Sequence, residues 1–457
     1  MFINHYPAKS VCYEIWLKNR ARRRIALILI FMKLIFCVLF GFAFVAAAAQ
    51  REERVYQPTI HTTKLYKGGD QTSFPMLMLG SNDVLELHFD DLDKNIKQYY
   101  YGFQLCNSDW SPSMLTTFEY VRGFQNVRIT NYRSSSIALT NYTHYQATVP
   151  DRNSVPTRSG NYLLKVFLNG DTTQLAFTKR FVVVDMKSNI GAQVQQPFNA
   201  EWFKTHQKLQ LAVNVDSRIR IFTPQDIKVA VLQNENWQTA LFLNAPTIFR
   251  GNYYEYSDEA ITAMPAMREW RWIDLRSFRL KSDRMLDLDA RSTIPAVAIK
   301  PDPPRTGQSY LYYQDLNGRY TVETLESVNP FWQGDYGQVQ FSFFPPGNRA
   351  FEGREVYLFG ELTNYGKDTA AKMTFNSERG AYEKTLLLKQ GYYNYTYATW
   401  PINGNGKGYP DMSMTEGHHW GAENTYIVLV YYRSFGARAD ELIGYTSLSS
   451  MLQRHGF

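Results

Sequence analysis

The residues equipped for chemistry are few and scattered. His418 and His419 follow Glu416 and precede Trp420 and Glu423. Adjacent histidines on a strand point to opposite faces, and no His-Glu-x-x-His spacing accompanies them, so no metal site is expected there. His88 and His144 lack a partner at ligand spacing and read as hydrogen-bonded strand residues. Cys106, in Leu105-Cys106-Asn107, is the single cysteine after residue 50 and reads as a buried structural thiol, which leaves no disulfide framework and no thiolate metal site. Asp90-Asp91-Leu92-Asp93 and Asp287-Leu288-Asp289 are short acidic runs without the Gly and terminal Glu of an EF-hand loop, and read as solvated loop charge.

From Glu269 to Arg276, Glu269, Arg271, Ile273 and Leu275 alternate with Trp270, Trp272, Asp274 and Arg276. Large aromatics beside Arg make a cation–π ladder, a binding platform, or a packed sheet face with a charge pair, the last being the plainest reading. There is no nucleophile elbow, phosphate loop or zinc spacing. The expectation is a chain with no catalytic, cofactor-binding or metal-binding residue, and not an enzyme.

The elements that must position these residues begin after a leader. Arg22-Arg23-Arg24, an apolar run broken by Lys33, and Ala46-Ala47-Ala48-Ala49 before Gln50 have the order of a secretory signal, removed on export. Residues 1–49 are assigned to it, with Met32 as the expected true start. Of the net charge of +7, the leader's seven Lys and Arg against Glu14 account for six, which leaves the rest near +1. No Lys/Arg stripe follows residue 50, so nucleic acid is not an expected partner.

About 400 residues remain, enough for two to four cores, and 15% of the chain is aromatic, with 32 Tyr. Strand-like alternation recurs and long helical periodicity does not. The fold class read from this is all-β: tandem immunoglobulin-like, early-set-like β-sandwich modules after the signal peptide. The first module is set at 50–185. There Leu85, Leu87 and Phe89 share a face, and Leu163–Leu168 runs into Asn169-Gly170, the pair that a tight type I′ hairpin prefers. The second is set at 186–301, with strands over 208–215 and 227–232, and is closed by Pro301-Asp302-Pro303-Pro304 as a stiff linker or bulged edge. The third is set at 302–457. It carries a second Asn-Gly turn at Asn317-Gly318 and a buried central strand, Ile427–Arg433.

Two resemblances add to this. In the third module, Val356–Leu362, Thr363-Asn364-Tyr365 and Gly391-Tyr392-Tyr393-Asn394-Tyr395-Thr396-Tyr397 follow an order that resembles the carbohydrate-binding β-sandwiches of starch and glycogen enzymes. Tyr365 stands where those families want an exposed Trp. Trp420, Tyr393, Tyr395 and Tyr397 are the aromatics that a sugar-binding alternative requires on one face.

The second resemblance covers the whole exported chain. Cys106-Asn107-Ser108-Asp109-Trp110, Asn141-Tyr142-Thr143-His144-Tyr145, Ser159-Gly160-Asn161-Tyr162, Arg271–Ser277, Asp315-Leu316-Asn317-Gly318-Arg319, Tyr431-Tyr432-Arg433 and Arg438–Gly444 are colinear strings. Together they resemble the type 9 secretion system plug proteins of the Bacteroidetes, a family long carried as a domain of unknown function. One departure is Trp272, where Phe or Tyr is usual. The resemblance implies a monomeric periplasmic protein at the inner side of the outer membrane. It implies closure of the periplasmic mouth of the translocon barrel while no substrate occupies it, and no small-molecule substrate or cofactor.

Overall fold

The computed structural model describes residues 53–366, 369–402 and 409–451, so the leader expected over 1–49, and Met32 with it, lies outside the described residues. From Glu53 onward the chain forms one unit by contacts. Among the described residues no helix is long and apolar enough to cross a membrane.

Leu85, Leu87 and Phe89 are fully buried on one face of Leu85–Asp91, as their alternation predicts. That strand lies in a four-stranded sheet ordered Ile60–Lys67, Leu85–Asp91, Thr143–Val149, Asn131–Ser134. A five-stranded sheet shares its core: Met76–Met78, Leu175–Val184, Gly160–Leu168, Tyr99–Cys106, Asn126–Arg128. Tyr101, Phe103, Leu105, Leu164 and Phe181 fill the space between them. Asn169 and Gly170 take the positive φ values of 55° and 73° expected of them. The loop is nevertheless longer than a two-residue hairpin, and the next strand starts at Leu175. Asp171 accepts from the backbone N and hydroxyl of Thr173 at 2.9 and 2.7 Å, which holds an extra turn in place.

The second sandwich pairs Ser188–Gln195, His206–Val215, Tyr253–Tyr256 and Ile248–Arg250 in one sheet, with Ala263–Pro265 also on His206–Val215. Its other sheet runs Leu241–Leu243, Ile227–Gln233, Thr425–Tyr432, Glu441–Ser449. The third sandwich packs Arg271–Asp274, Gly391–Pro401, Tyr320–Val322 and Arg354–Phe359 against Met285–Asp289, Ala296–Ile299, Tyr336–Phe343, Ala381–Lys389 and Thr374–Asn376.

These pairings divide the chain differently from the expected boundary at 301. Residues 271–299 build the third sandwich, and 425–449 return to the second. The reason lies in Thr425–Tyr432, whose residues 426–431 are all buried. Tyr426, Val428 and Val430 face the core of the second sandwich. Ile427, Leu429 and Tyr431 face the other way, onto Val182 and Val184 of the first. A continuous apolar run of this kind is stable only with a layer on both faces. Nor is Pro301-Asp302-Pro303-Pro304 a solvated linker: Asp302 is fully buried, and its backbone N–H donates to Ser342 O.

Because Leu429 is fully buried at the junction of two sandwiches, Leu429→Ala should cost about 2–5 kcal/mol. Urea unfolding read by fluorescence and circular dichroism checks this. A loss under about 1 kcal/mol would mean that the apolar junction carries little of the stability.

Candidate functional site

Two clusters gather the chemistry-bearing residues. In the first, pairing of Leu85–Asp91 with Thr143–Val149 sets Asp90 opposite His144. His144 Nδ1 lies 2.7 Å from Asp90 Oδ1, and His144 Nε2 lies 3.1 Å from His88 Nδ1. Asp90 also accepts from the Tyr336 hydroxyl and from Lys389 Nζ, each at 2.5 Å, and both donors belong to the third sandwich. Asp90 and Lys389 are essentially inaccessible, and the ammonium lies 4.1 Å from the centre of the Tyr142 ring. Burial alone would raise the carboxyl of Asp90, but Lys389 and His144 outweigh it and hold it below the usual range. Burial pushes His88 down to about 3 and lowers His144, so both are neutral near pH 7.

This line of carboxylate and imidazoles resembles a proton relay, but it ends on a covered ring. His88 stacks on Tyr66 at 5.5 Å and on Phe331 at 4.1 Å between ring centroids. What it does is join sandwiches. Three further contacts between the first and third sandwiches support it. Lys64 pairs with Glu361 at 2.8 Å. The Tyr142 hydroxyl donates to Gly334 O at 2.7 Å. Gln71 bonds both backbone groups of Val322, at 3.0 and 2.7 Å.

In the second cluster, Arg271 is 6% exposed and bridges two buried carboxylates. NH1 reaches Asp302 Oδ1 at 2.8 Å, while Nε and NH2 reach Glu416 at 2.9 and 3.1 Å. Arg305 Nε takes Glu416 at 2.5 Å, and Arg284 NH2 takes Asp302. The hydroxyls of Tyr395 and Tyr397 each donate to Asp302 Oδ2 at 2.8 Å. Burial opposes ionisation of Glu416, but Arg271 and Arg305 overcome it and hold its carboxyl at about 2.

Several sequence expectations are corrected here. Asp90 and Asp91 are not solvated loop charge: they are 1% and 0% exposed at the end of a strand, because cationic and hydroxyl partners meet them. Asp287 and Asp289 also lie on a strand, Met285–Asp289. Tyr393, Tyr395 and Tyr397 are buried in the third core, so they present no line of exposed aromatics to a sugar. Arginine does stack on an aromatic, but on Tyr397 (Arg271, 5.5 Å) rather than on the two tryptophans. Trp270 is buried against Phe359, and Trp272 stacks on Tyr392.

Cys106 is a buried thiol packed with Trp110 and Leu163. His418 bridges to Met267, and His419 stacks on Tyr310 at 4.1 Å. Among the described residues no group of three His, Cys, Asp or Glu is placed to hold a metal ion. Lys389, Lys64 and Glu361 were not read from sequence. The available signal for Lys389 was a lone cation closing the apolar run Leu386-Leu387-Leu388.

The colinear strings turn out to be joints. Ser108 donates its backbone N–H and hydroxyl to Asp440 Oδ2 at 2.9 and 2.7 Å, so 106–110 and 438–444 meet. Asp315 accepts from Trp270 N at 2.5 Å and Asn317 N at 2.7 Å, and burial pushes its carboxyl up to about 7. A Cβ on Gly318 would sit 2.6 Å from the Trp270 ring, and its φ is 83°, so both space and backbone demand glycine there.

Residues 60–185 match the family model described as type 9 secretion system plug protein 1st domain. A crystal structure of a hypothetical protein from Parabacteroides merdae is similar over 87% of this chain and 98% of that one, at 30% identity and a TM-score of 0.82. Two domains of a biofilm associated protein, each 8% identical, are aligned over 87% of this chain and 88% and 60% of theirs; their TM-scores of 0.17 and 0.15 carry no argument. No curated protein matches.

The Arg271 cluster has a pH signature. The carboxyl of Glu416 lies at about 2 when folded, against 4.5 for an ordinary glutamate. Its contribution is therefore present above pH 4.5 and lost as pH falls through about 2. Glu416→Gln should cost about 3–5 kcal/mol near neutral pH. The gap between variant and wild type should narrow steadily as urea midpoints are taken from pH 4.5 down to 2. A gap that stays constant would show that Glu416 is not held as a carboxylate.

Proposed function

Because the chain belongs to the type 9 secretion system plug family, we propose that it is a non-enzymatic stopper. It closes the periplasmic mouth of that system's outer-membrane translocon barrel when no substrate occupies it, as one copy bound at the inner side of the outer membrane. A role associated with the secretion system, in the cell envelope, follows from the family match alone. The observation that supports the finer reading is that match combined with the way the sandwiches are fastened. A stopper has to present a broad surface without unfolding. Here the first sandwich is joined to the second by an apolar seam and to the third by buried ion pairs.

The residues that looked most like a catalytic apparatus support the same reading. The Asp90–His144 pair ends on His88, whose Nε2 lies 3.7 Å from Glu86 Oε2, and Asp302 and Glu416 are bonded by arginine and tyrosine. A seal must also release, which calls for a polar interface of moderate size rather than a large apolar one.

The test is a pull-down from detergent-solubilised outer membranes with the tagged chain as bait. Recovery of a barrel protein of very high mass, increased when secretion substrates are depleted, is the expected result. Recovery of nothing large, together with retention on a polysaccharide column, would overturn the stopper in favour of a carbohydrate-binding protein.

A further inference from the structure

Beside the Arg271 cluster lies an open cleft of about 320 Å³, lined among others by Arg268, Arg271, Arg284, Arg305, Trp272 and Leu311. Two of the four guanidinium groups are engaged at every nitrogen. Arg271 spends its donors on Asp302, Glu416 and Pro303 O, and Arg305 on Glu416, the Tyr313 hydroxyl and Glu269 O. The other two are not. Arg284 engages Asp302 and the Tyr395 hydroxyl through NH2 alone, so among the described residues nothing accepts from its NH1 or Nε. Among the described residues Arg268 bonds only backbone carbonyls, those of Arg305, Glu416, Gln308 and Ser309, all through NH1 and NH2, which leaves its Nε. No carboxylate among the described residues pairs with Arg268.

The charge is therefore in excess. Four arginines face three carboxylates, Asp302, Glu416 and Glu269, which leaves +1. Glu269, which also lines the cleft, accepts from the Tyr310 hydroxyl and is counted in that balance. Excess positive charge in a part-buried cleft attracts an anion, and free N–H donors fix where it sits. A single positive charge matches a monoanion, whereas a phosphate dianion would overfill it. The cleft also has apolar surface. Trp272 stands half-exposed on Tyr392, and Leu311 is 74% exposed at the lip. An isolated inorganic ion makes no use of either.

We propose that this cleft binds a monocarboxylate carried beside an apolar or aromatic group, as found at a polypeptide C-terminus or at an acidic side chain next to an aromatic residue. Arg284 and Arg268 take the carboxylate, and Trp272 and Leu311 take the apolar neighbour. The proposal does not depend on the stopper reading, since its test needs no barrel.

The test is ligand-observed NMR titration of the purified exported chain with N-acetyl-phenylalanine, its amide, the blocked peptide N-acetyl-glutamyl-phenylalaninamide, and inorganic phosphate. The free acid or the glutamyl peptide should bind saturably in the millimolar range, and whichever binds identifies the source of the carboxylate. The phenylalanine amide should bind at least about tenfold more weakly than the acid.

Arg284→Gln should weaken binding about tenfold and Arg284→Lys less, because lysine keeps the charge and loses only the fork. Trp272→Ala, which leaves the ion network untouched, should weaken it several-fold; should Arg284→Gln fail to fold, Trp272→Ala decides. Absence of saturable binding by both carboxylate probes overturns the proposal. So does an amide that binds as well as the acid, or phosphate that binds as tightly as the carboxylates.

Discussion

A strand buried on both faces has to be covered twice, and in this chain that strand is Thr425–Tyr432. Its edges are taken by Ile227–Gln233 and Glu441–Ser449. One face belongs to the core of the second sandwich and the other to the first sandwich. Each fully buried aliphatic side chain on it is worth about 1.5–3 kcal/mol. The first and second sandwiches therefore cannot be separated without exposing Ile427, Leu429 and Tyr431 on one side and Val182 and Val184 on the other. The third sandwich is in turn an excursion, built from 271–401 between two parts of the second.

The junction of the first and third sandwiches is of the opposite kind. A buried ion pair contributes little net stability, since desolvation offsets the attraction, but breaking one is costly. Asp90 satisfies three donors from different directions, His144, Tyr336 and Lys389. An apolar seam tolerates sliding, because any hydrophobic contact replaces another. A carboxylate with three fixed donors does not, since a small displacement leaves a buried charge uncompensated. The apolar seam supplies adhesion and the polar joint supplies register.

Much of the fold was legible. Alternation located Leu85, Leu87 and Phe89, the strands over 208–215 and 227–232, and the two Asn-Gly turns, because period two and positive φ are local properties. Sandwich membership was not legible, because it is a property of long-range pairing. Nothing near Ile427 says that its strand neighbour is Leu232, some two hundred residues earlier. The charged clusters were misread for the same reason. Asp90 looks like loop charge until Lys389 and His144 are placed beside it. Asp302 between prolines looks like a linker until Arg271, Tyr395 and Tyr397 converge on it. Sequence showed acid residues among prolines and in short runs, and only tertiary contact decides whether such a charge is solvated or paired.

The same contacts bear on what kind of protein this is. A catalytic relay needs an open end: a nitrogen or oxygen facing a space where a substrate can sit. In the Asp90–His144–His88 line the last ring lies against Tyr66 and Phe331, with its Nε2 3.7 Å from Glu86 Oε2. In the Arg271 cluster Glu416 is clamped between two guanidinium groups. The family's recurrent strings behave alike: Ser108 with Asp440, and Asp315 with Trp270, are joints between segments far apart in the chain. Titratable side chains in these clusters hold one piece of the chain against another.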